Sequence, residues 1–487
     1  MKFLSDWLGT RPRGQHAPPS FLDTPLLHLT EADSWTWRDA VGHSVILGSP
    51  GSGKTSGPGR SIVNGFLESG AGGLVLCAKP GEASKWLGYC KRAGREDDVV
   101  RFSPENPQLR FNPLEFELKR SGRGGGYTQN VTALFTFLLE LVDGGGGQSG
   151  DKFWQRAVTE LLTWATDVLV AAGEPVSLVS INALIQSCPR RNDEIDEFHD
   201  DAWRESSFCF DCLGRAASRD LSPAKRADIS HAAEYLCEEF PRLGDKTRSS
   251  ILATFKGMAL PFLRSPMREI FGTDTTLNLA DAFERSTIFI IDYPLREFAE
   301  VGRLIGGMMQ YFYMATVERR TITSNAAPCF LFIDEFQEFI NPYMARFLAT
   351  ARESRCACVL LTQNISNLYS MLKVQNAKHV VDSLLGNCTT KMFCANADAV
   401  TNEWAARLIA QTWQSKASST MNTGQQTSQG TSVGQQLAYQ VLPAEFSLLQ
   451  KGGPPNWIVE TVCFQGGRVF NATGQTFARV GFEQIID

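Results

Sequence analysis

Apolar residues gather along this chain in short unbroken runs that end on turn residues. Two lie near the start, HSVILG at 43–48 and GGLVLCA at 72–78. Four more follow at 286–292 (STIFIID), 329–335 (CFLFIDE), 357–363 (ACVLLTQ) and 390–395 (TKMFCA). A run without polar alternation predicts a strand buried on both faces. The segments between these runs repeat their apolar positions at helical spacing, as from Thr55 to Ser69. Strands of this kind alternating with helices predict an α/β fold, a mostly parallel sheet with helices on both faces.

The pattern changes between about 128 and 270. The run DKFWQRAVTELLTWATDVLVAA opens on an acidic cap and continues at helical period, and 224–240 and 246–263 read the same way. Strand signals are weak there, so an all-α domain is expected to interrupt the α/β domain. The expected division is a Pro-containing lead-in at 1–40, a first part of the nucleotide-binding domain at 41–125, the all-α domain at 126–272, and a second part at 273–487. Glycine runs at 122–126 and 144–147 mark the first change of character. The Ser/Thr/Gln/Gly-rich stretch 414–436 is expected to be a flexible loop.

Composition narrows the function classes. The 487 residues are 43% hydrophobic and 20% charged, with a net charge of −5, so a disordered chain or a strongly basic nucleic-acid binder is excluded. A nucleic-acid site would have to be a local patch or the lining of an oligomeric pore. The N-terminal stretch is too short and polar for a secretory signal. The best apolar run, 131–142, contains Glu140 and falls short of a membrane span. Of the twelve cysteines, Cys77, Cys329, Cys358 and Cys394 lie in or beside strand-like runs, and Cys209 and Cys212 form a CxxC with no second ligand pair. A reducing compartment fits that usage.

The chemistry sits at the ends of the runs. After the first comes GSPGSGKT: Gly48, Ser49, Pro50, Gly51, Ser52, Gly53, Lys54 and Thr55, followed by Ser56. This is GxxxxGK[ST] between a strand and a helix, a loop whose backbone N–H groups cradle phosphates. Lys54 would reach the β- and γ-phosphates of ATP, and the Thr55 hydroxyl would ligate Mg²⁺. Asp334 emerges at the end of CFLFIDE, where it can hold Mg²⁺ through water, and Glu335 beside it can polarise an attacking water. Taken alone, the same pair could open a solvated loop. Gln363 ends the next run, where it can contact the γ-phosphate. Arg352 and Arg355, in ARESRC, suit either a finger reaching a neighbouring subunit or a solvated helix face paired with Glu353.

Around these motifs the chain, from about 40 to 470, resembles the type IV secretion coupling proteins, the conjugative DNA-transfer ATPases of the FtsK-like and HerA-like ring motors. VVRFSPENPQLRFNPLE at 99–115, DKFWQRAVTELL, LFIDEFQEF and LLGNCTTKMFCANAD each resemble a family segment. The chain departs where the family reads Asp-x-Lys-Gly-Glu: Cys77 and Ala78 stand where an aspartate is expected, while Lys79 and Glu82 persist. The family's two N-terminal membrane helices are not seen either. The resemblance implies a RecA-like domain, a homo-hexameric ring with ATP and Mg²⁺ between subunits, and DNA in the channel without sequence preference. It also implies relaxase or relaxosome and secretion-channel proteins as partners, in the cytoplasm or held peripherally at the inner membrane by them. The expected function is ATP-dependent DNA translocation. The alternatives are a soluble motor of the same superfamily serving a mobile element or defence, and a nucleotide-gated recruitment adaptor.

Overall fold

The computed structural model describes residues 21–143, 149–191, 196–324, 326–423 and 427–485. The first half of the lead-in, the glycine run at 144–147 and the side chain of Asp151, expected as a helix cap, lie outside them. Thirteen strands are present among the described residues: β1 (Pro25–Thr30), β2 (Asp33–Thr36), β3 (Ser44–Leu47), β4 (Gly73–Cys77), β5 (Val99–Phe102), β6 (Ile288–Asp292), β7 (Cys329–Ile333), β8 (Cys356–Thr362), β9 (Thr390–Phe393), β10 (Gln411–Thr423), β11 (Thr427–Tyr439), β12 (Ile458–Gln465) and β13 (Phe477–Glu483).

Nine of them build one sheet in the order β13-β12-β9-β3-β8-β7-β4-β6-β5. The seven from β9 to β5 pair in parallel, and β12 and β13 add an antiparallel edge beside β9. Strands β3, β4, β6, β7, β8 and β9 fall on the six apolar runs, and every residue of those strands is buried. Successive side chains point to opposite faces, so along β4 Leu74 and Leu76 enter one core while Val75 and Cys77 enter the other.

The second core includes residues 25–40, expected to be only a lead-in. β1 and β2 form a hairpin, and a helical turn at Trp37–Ala40 follows. Trp35 and Trp37 are fully buried. Trp37 stacks on Phe66 at 4.9 Å, Phe66 stacks on Phe330 of β7 at 5.1 Å, and the Trp35 indole N–H donates to Thr390 Oγ1 at 3.1 Å. Residues 25–40 are thus a lid over one face of the sheet.

Between β5 and β6 the described residues are helices and turns, with one isolated bridge between Arg191 and Asp196. The long helix Ser149–Ala172 packs against Thr128–Asp143, Phe208–Ser218 and Asp245–Ala259. The low-complexity stretch corrects the loop expectation. Gln411–Thr423 and Thr427–Tyr439 pair residue for residue as an antiparallel ribbon, apart from the main sheet. Its described ends, 411–415 and 433–437, are exposed. With no buried face, no hydrophobic alternation marks them as strands.

His43, directly before β3, clamps the end of the sheet away from the strand C-termini. It takes φ 61° and is buried. Its Nδ1 accepts the Cys358 N–H at 3.3 Å, and its Nε2 meets the Leu348 carbonyl at 3.1 Å. Both contacts require a neutral ring carrying its proton on Nε2. Burial lowers its pKa from 6.5 to about 4; the Leu348 carbonyl opposes this, and the Arg352 charge adds to it. Between those pH values the unfolded chain binds a proton that the folded one refuses, so stability falls as pH drops through 6.5 towards 4. In urea unfolding, the wild type should lose about 2 kcal/mol more stability between pH 7 and pH 5 than His43→Asn does. Equal losses would rule out His43 as the acid-sensitive clamp.

Candidate functional site

β3, β7, β8 and β9 are adjacent and parallel, so the segments that follow them meet at one edge. The loop Gly48–Thr55 follows β3. Its start is tied between the neighbouring strand ends: Gly48 N–H donates to Thr362 O at 3.2 Å, and Ser49 N–H to Ala395 O at 3.0 Å. Gly53 takes φ 81°, and a Cβ there would lie 2.4 Å from Val459 Cγ2 and 2.9 Å from Lys451 O, so only glycine serves. Thr55–Gly59 is a π-turn because Pro58 has no N–H to offer Lys54 O; the Gly59 N–H takes that carbonyl instead, at 2.9 Å.

Asp334 and Glu335 leave β7 against this loop. Thr55 Oγ1 donates to Asp334 Oδ2 at 2.9 Å. Glu335 takes the left-handed conformation, φ 53° and ψ 48°, and its N–H donates to Asp334 Oδ1 at 2.9 Å. Its side chain is 8% exposed and fully partnered. Lys79 Nζ donates to Oε1, with Lys54 Nζ 3.9 Å from the same oxygen. Oε2 accepts from Gln337 Nε2 at 2.6 Å and from Gln363 Nε2 at 3.1 Å. Burial alone would raise the carboxyl pKa, but the Lys79 and Gln337 hydrogen bonds and the two lysine charges bring it down to about 2. Nearby, Glu82 moves the other way, to about 8, because its enclosure and the Asp334 charge outweigh the Ala78 and Lys79 backbone N–H groups that it accepts.

The structure therefore brings Lys54, Thr55, Asp334, Glu335 and Gln363 together. In the loop, Ser49 Oγ donates to Asn396 Oδ1 at 3.2 Å, and Pro50 and Gly51 are exposed. Ser52 Oγ is buried without a hydrogen-bond partner among the described residues, a donor left over inside an anion cradle. Thr55 and Asp334 offer the hard oxygen donors that Mg²⁺ takes alongside phosphate and water. The described residues hold no cluster of three or more acidic, His or Cys side chains able to bind a metal alone. Ser56 faces elsewhere, its hydroxyl accepting from Gln484 Nε2 at 3.0 Å.

The two arginines lie before β8, at the opposite end of the sheet from the loop. Arg352 is exposed. The Arg355 guanidinium donates to the carbonyls of Ser324 (3.2 Å) and Ala326 (2.6 Å). Cys209 and Cys212 are buried free thiols in the helix Phe208–Ser218.

Gln337 and Asn396 escape motif reading, while Lys79 enters only as a persisting residue of the segment compared with Asp-x-Lys-Gly-Glu. Lys79 carries the signal of a basic residue just past a buried strand, and pairs with Glu335 although the aspartate expected nearby is Cys77. Gln337 bridges β7 and β8, accepting from Thr362 Oγ1 at 2.8 Å while holding Glu335. Asn396, past β9, links Ser49 to the Gln363 carbonyl, to which its Nδ2 donates at 2.9 Å.

A family model described as type IV secretory system conjugative DNA transfer matches residues 23–453. No curated protein matches the sequence. Among solved structures, the chain is similar to the bacterial conjugative coupling protein TrwBdeltaN70 in its unbound monoclinic form, with TM-score 0.61, 14% identity, and 96% of this chain and 90% of that one covered. It is also similar to the plasmid coupling protein TrwB in complex with a non-hydrolysable ATP analogue (TM-score 0.57, 14% identity, covering 94% and 89%). The complex of that protein with ADP and Mg²⁺ gives TM-score 0.57 at 13% identity, covering 94% and 90%. At such identities the likeness establishes the fold: a RecA-like α/β domain interrupted by helices.

The Lys79–Glu335 pair can be tested without any ligand. Lys79→Met and Glu335→Gln should each lower the urea midpoint, and the double variant should be more stable than the sum predicts. A coupling of about 1 kcal/mol is expected, since Lys79 is half exposed. Strict additivity would mean the pair contributes nothing.

Proposed function

Because the chain belongs to the type IV secretory system conjugative DNA transfer family, we propose that it is an ATP-dependent DNA translocase working as a conjugative coupling protein. The observation that carries this reading is the convergence of Lys54, Thr55, Asp334, Glu335 and Gln363 at one sheet edge. TrwB, the similar coupling protein, was solved with an ATP analogue and with ADP and Mg²⁺, which supports ATP as the substrate and Mg²⁺ as the cofactor here.

In this reading the Gly48–Thr55 backbone and the Ser52 hydroxyl hold the phosphates, and Lys54 draws negative charge from the β- and γ-oxygens. Bound Mg²⁺ would neutralise charge developing between those phosphates, held by Thr55 and, through water, by Asp334. Glu335 is ionised at neutral pH, so it can accept a hydrogen bond from the attacking water and orient it. Gln337 and Gln363 fix Oε2, leaving Oε1 for that water once the half-exposed Lys79 side chain withdraws. Gln363 is then placed to register the presence of the γ-phosphate.

Translocation needs neighbouring sites to fire in turn, so the chain is proposed to act as a homo-hexameric ring with DNA in its channel, delivering substrate from a relaxosome to a secretion channel. Arg352 suits a finger in trans better than Arg355, whose guanidinium is already engaged. No helix among the described residues is long and apolar enough to cross a membrane.

Lys54→Ala should abolish ATP turnover. Glu335→Gln should keep ATP and Mg²⁺ binding while turnover falls about 100-fold or more. Wild-type turnover by Glu335→Gln would displace Glu335 as the base.

DNA should stimulate hydrolysis without sequence preference, and the effect should fade as salt rises, because a channel grips the phosphate backbone. The measurement is ATPase rate with and without single- and double-stranded DNA, at low salt and at protein concentrations where rings form. A flat response to both would replace the motor with a nucleotide-gated recruitment module.

A further inference from the structure

The sheet order gives the site a direction. Asp334, Glu335 and Gln363 follow β7 and β8, on one side of the loop strand β3. They mark the end where the γ-phosphate would lie. A nucleotide lying along the loop must then carry its nucleoside to the other side, over β9, β12 and β13. β12 runs antiparallel to β9, and β13 antiparallel to β12, so the start of β12 and the end of β13 return to the edge that bears the loop.

What stands there is the segment Lys451–Trp457, together with Gln484. The segment abuts the loop, since the Lys451 carbonyl and Val459 fill the space beside Gly53. Gln484 joins the parts: its Nε2 donates to Ser56 Oγ at 3.0 Å, its Oε1 accepts from Gly453 N–H at 2.6 Å, and its own N–H donates to the Trp457 carbonyl at 2.6 Å. Ile485 N–H also donates to the Ser56 carbonyl at 3.0 Å. Trp457 takes φ 54°, unusual for a bulky residue, and is held there by its N–H on Gly453 O at 2.8 Å. The residue remains 43% exposed. The space over the Gly453 Cα is open, with no atom within 4 Å of where a Cβ would be.

We propose that Lys451–Trp457 and Gln484 form the nucleoside subsite of the nucleotide site, with the exposed Trp457 indole as the surface on which the base stacks. This rests on the reading of Gly48–Thr55 as the phosphate cradle. An exposed indole on a backbone held in place offers a flat apolar surface to any base. Both ends of the Gln484 amide are already bonded, so the segment supplies stacking rather than base-edge recognition. The subsite therefore takes a nucleoside triphosphate with little discrimination between adenine and guanine.

Calorimetric titration with ATP and GTP, and competition with inorganic tripolyphosphate, test this in the full chain. Trp457→Ala should weaken ATP and GTP alike by about tenfold, leave tripolyphosphate unchanged, and keep the wild-type melting temperature. Trp457→Phe should restore most of the loss. ATP affinity within twofold of wild type in Trp457→Ala, alongside loss of binding in Lys54→Ala, would overturn the subsite and leave the phosphate cradle standing. An equal loss for tripolyphosphate would also overturn it, making Trp457 a support of the loop. Wild-type protein that binds neither ATP nor tripolyphosphate would overturn cradle and subsite together.

Discussion

Two adjacent carboxylates, Asp334 and Glu335, sit with side chains 5% and 8% exposed. Burying one such charge is costly, and burying two side by side is tolerable only where cations and donors surround them. The fold meets that demand from separate elements. Lys54 comes from the loop after β3, Lys79 from the segment after β4, Gln337 from the turn after β7, and Gln363 from the end of β8. Each is close only because four parallel strands end at one edge. The left-handed backbone at Glu335 belongs to the same solution. It turns the chain sharply after β7, so that successive carboxylates face the loop rather than alternate across the sheet.

The two glutamates near this centre titrate in opposite directions for the same reason. Glu335 meets lysine and amide donors and stays ionised, whereas Glu82 meets Asp334 in an enclosed position and is pushed up. The two acids are thus separated by environment alone. The Cys77 that replaces the aspartate expected of the family is consistent with this crowding. Burial, with the acidic groups Glu82, Asp292 and Asp334 nearby, drives its thiol well above the ordinary value, so it stays neutral.

Much of this was legible in the sequence, and the limits have physical causes. All six central strands were visible as apolar runs because strands buried on both faces have no polar positions to confuse the pattern. β5 was missed because it lies at the sheet edge with only Phe102 buried. β13 alternates buried and exposed positions, but over a stretch with two Phe, a Val and a Gly that reads equally as loop. The ribbon of β10 and β11 carries no hydrophobic alternation, because its described ends bury nothing, and so its sequence resembles a loop. At the site, the motif residues were found by spacing, while Lys79, Gln337 and Asn396 act through contacts between segments far apart in sequence. Strand-end position points to all three, and the comparison with Asp-x-Lys-Gly-Glu to Lys79 as well.

The same long-range dependence shapes the phosphate loop itself. A GxxxxGK[ST] stretch is often treated as self-sufficient, its glycines present for flexibility. Here Gly53 in the motif, and Gly57 in the turn after it, answer to a residue some 400 positions away. A Cβ on Gly53 or Gly57 would collide with Val459, at 2.4 and 2.8 Å from its side chain. Ile485 and Gln484 fasten Ser56, and Asn396, past β9, holds Ser49 from that same side of β3, while the end of β8 holds Gly48 from the other. The loop is therefore clamped by the late strands, and the β12–β13 hairpin beside β9 bears directly on its shape. That dependence gives the antiparallel edge its role: β12 and β13 extend the sheet, and by running back to the site edge they finish the wall against which the loop is cast.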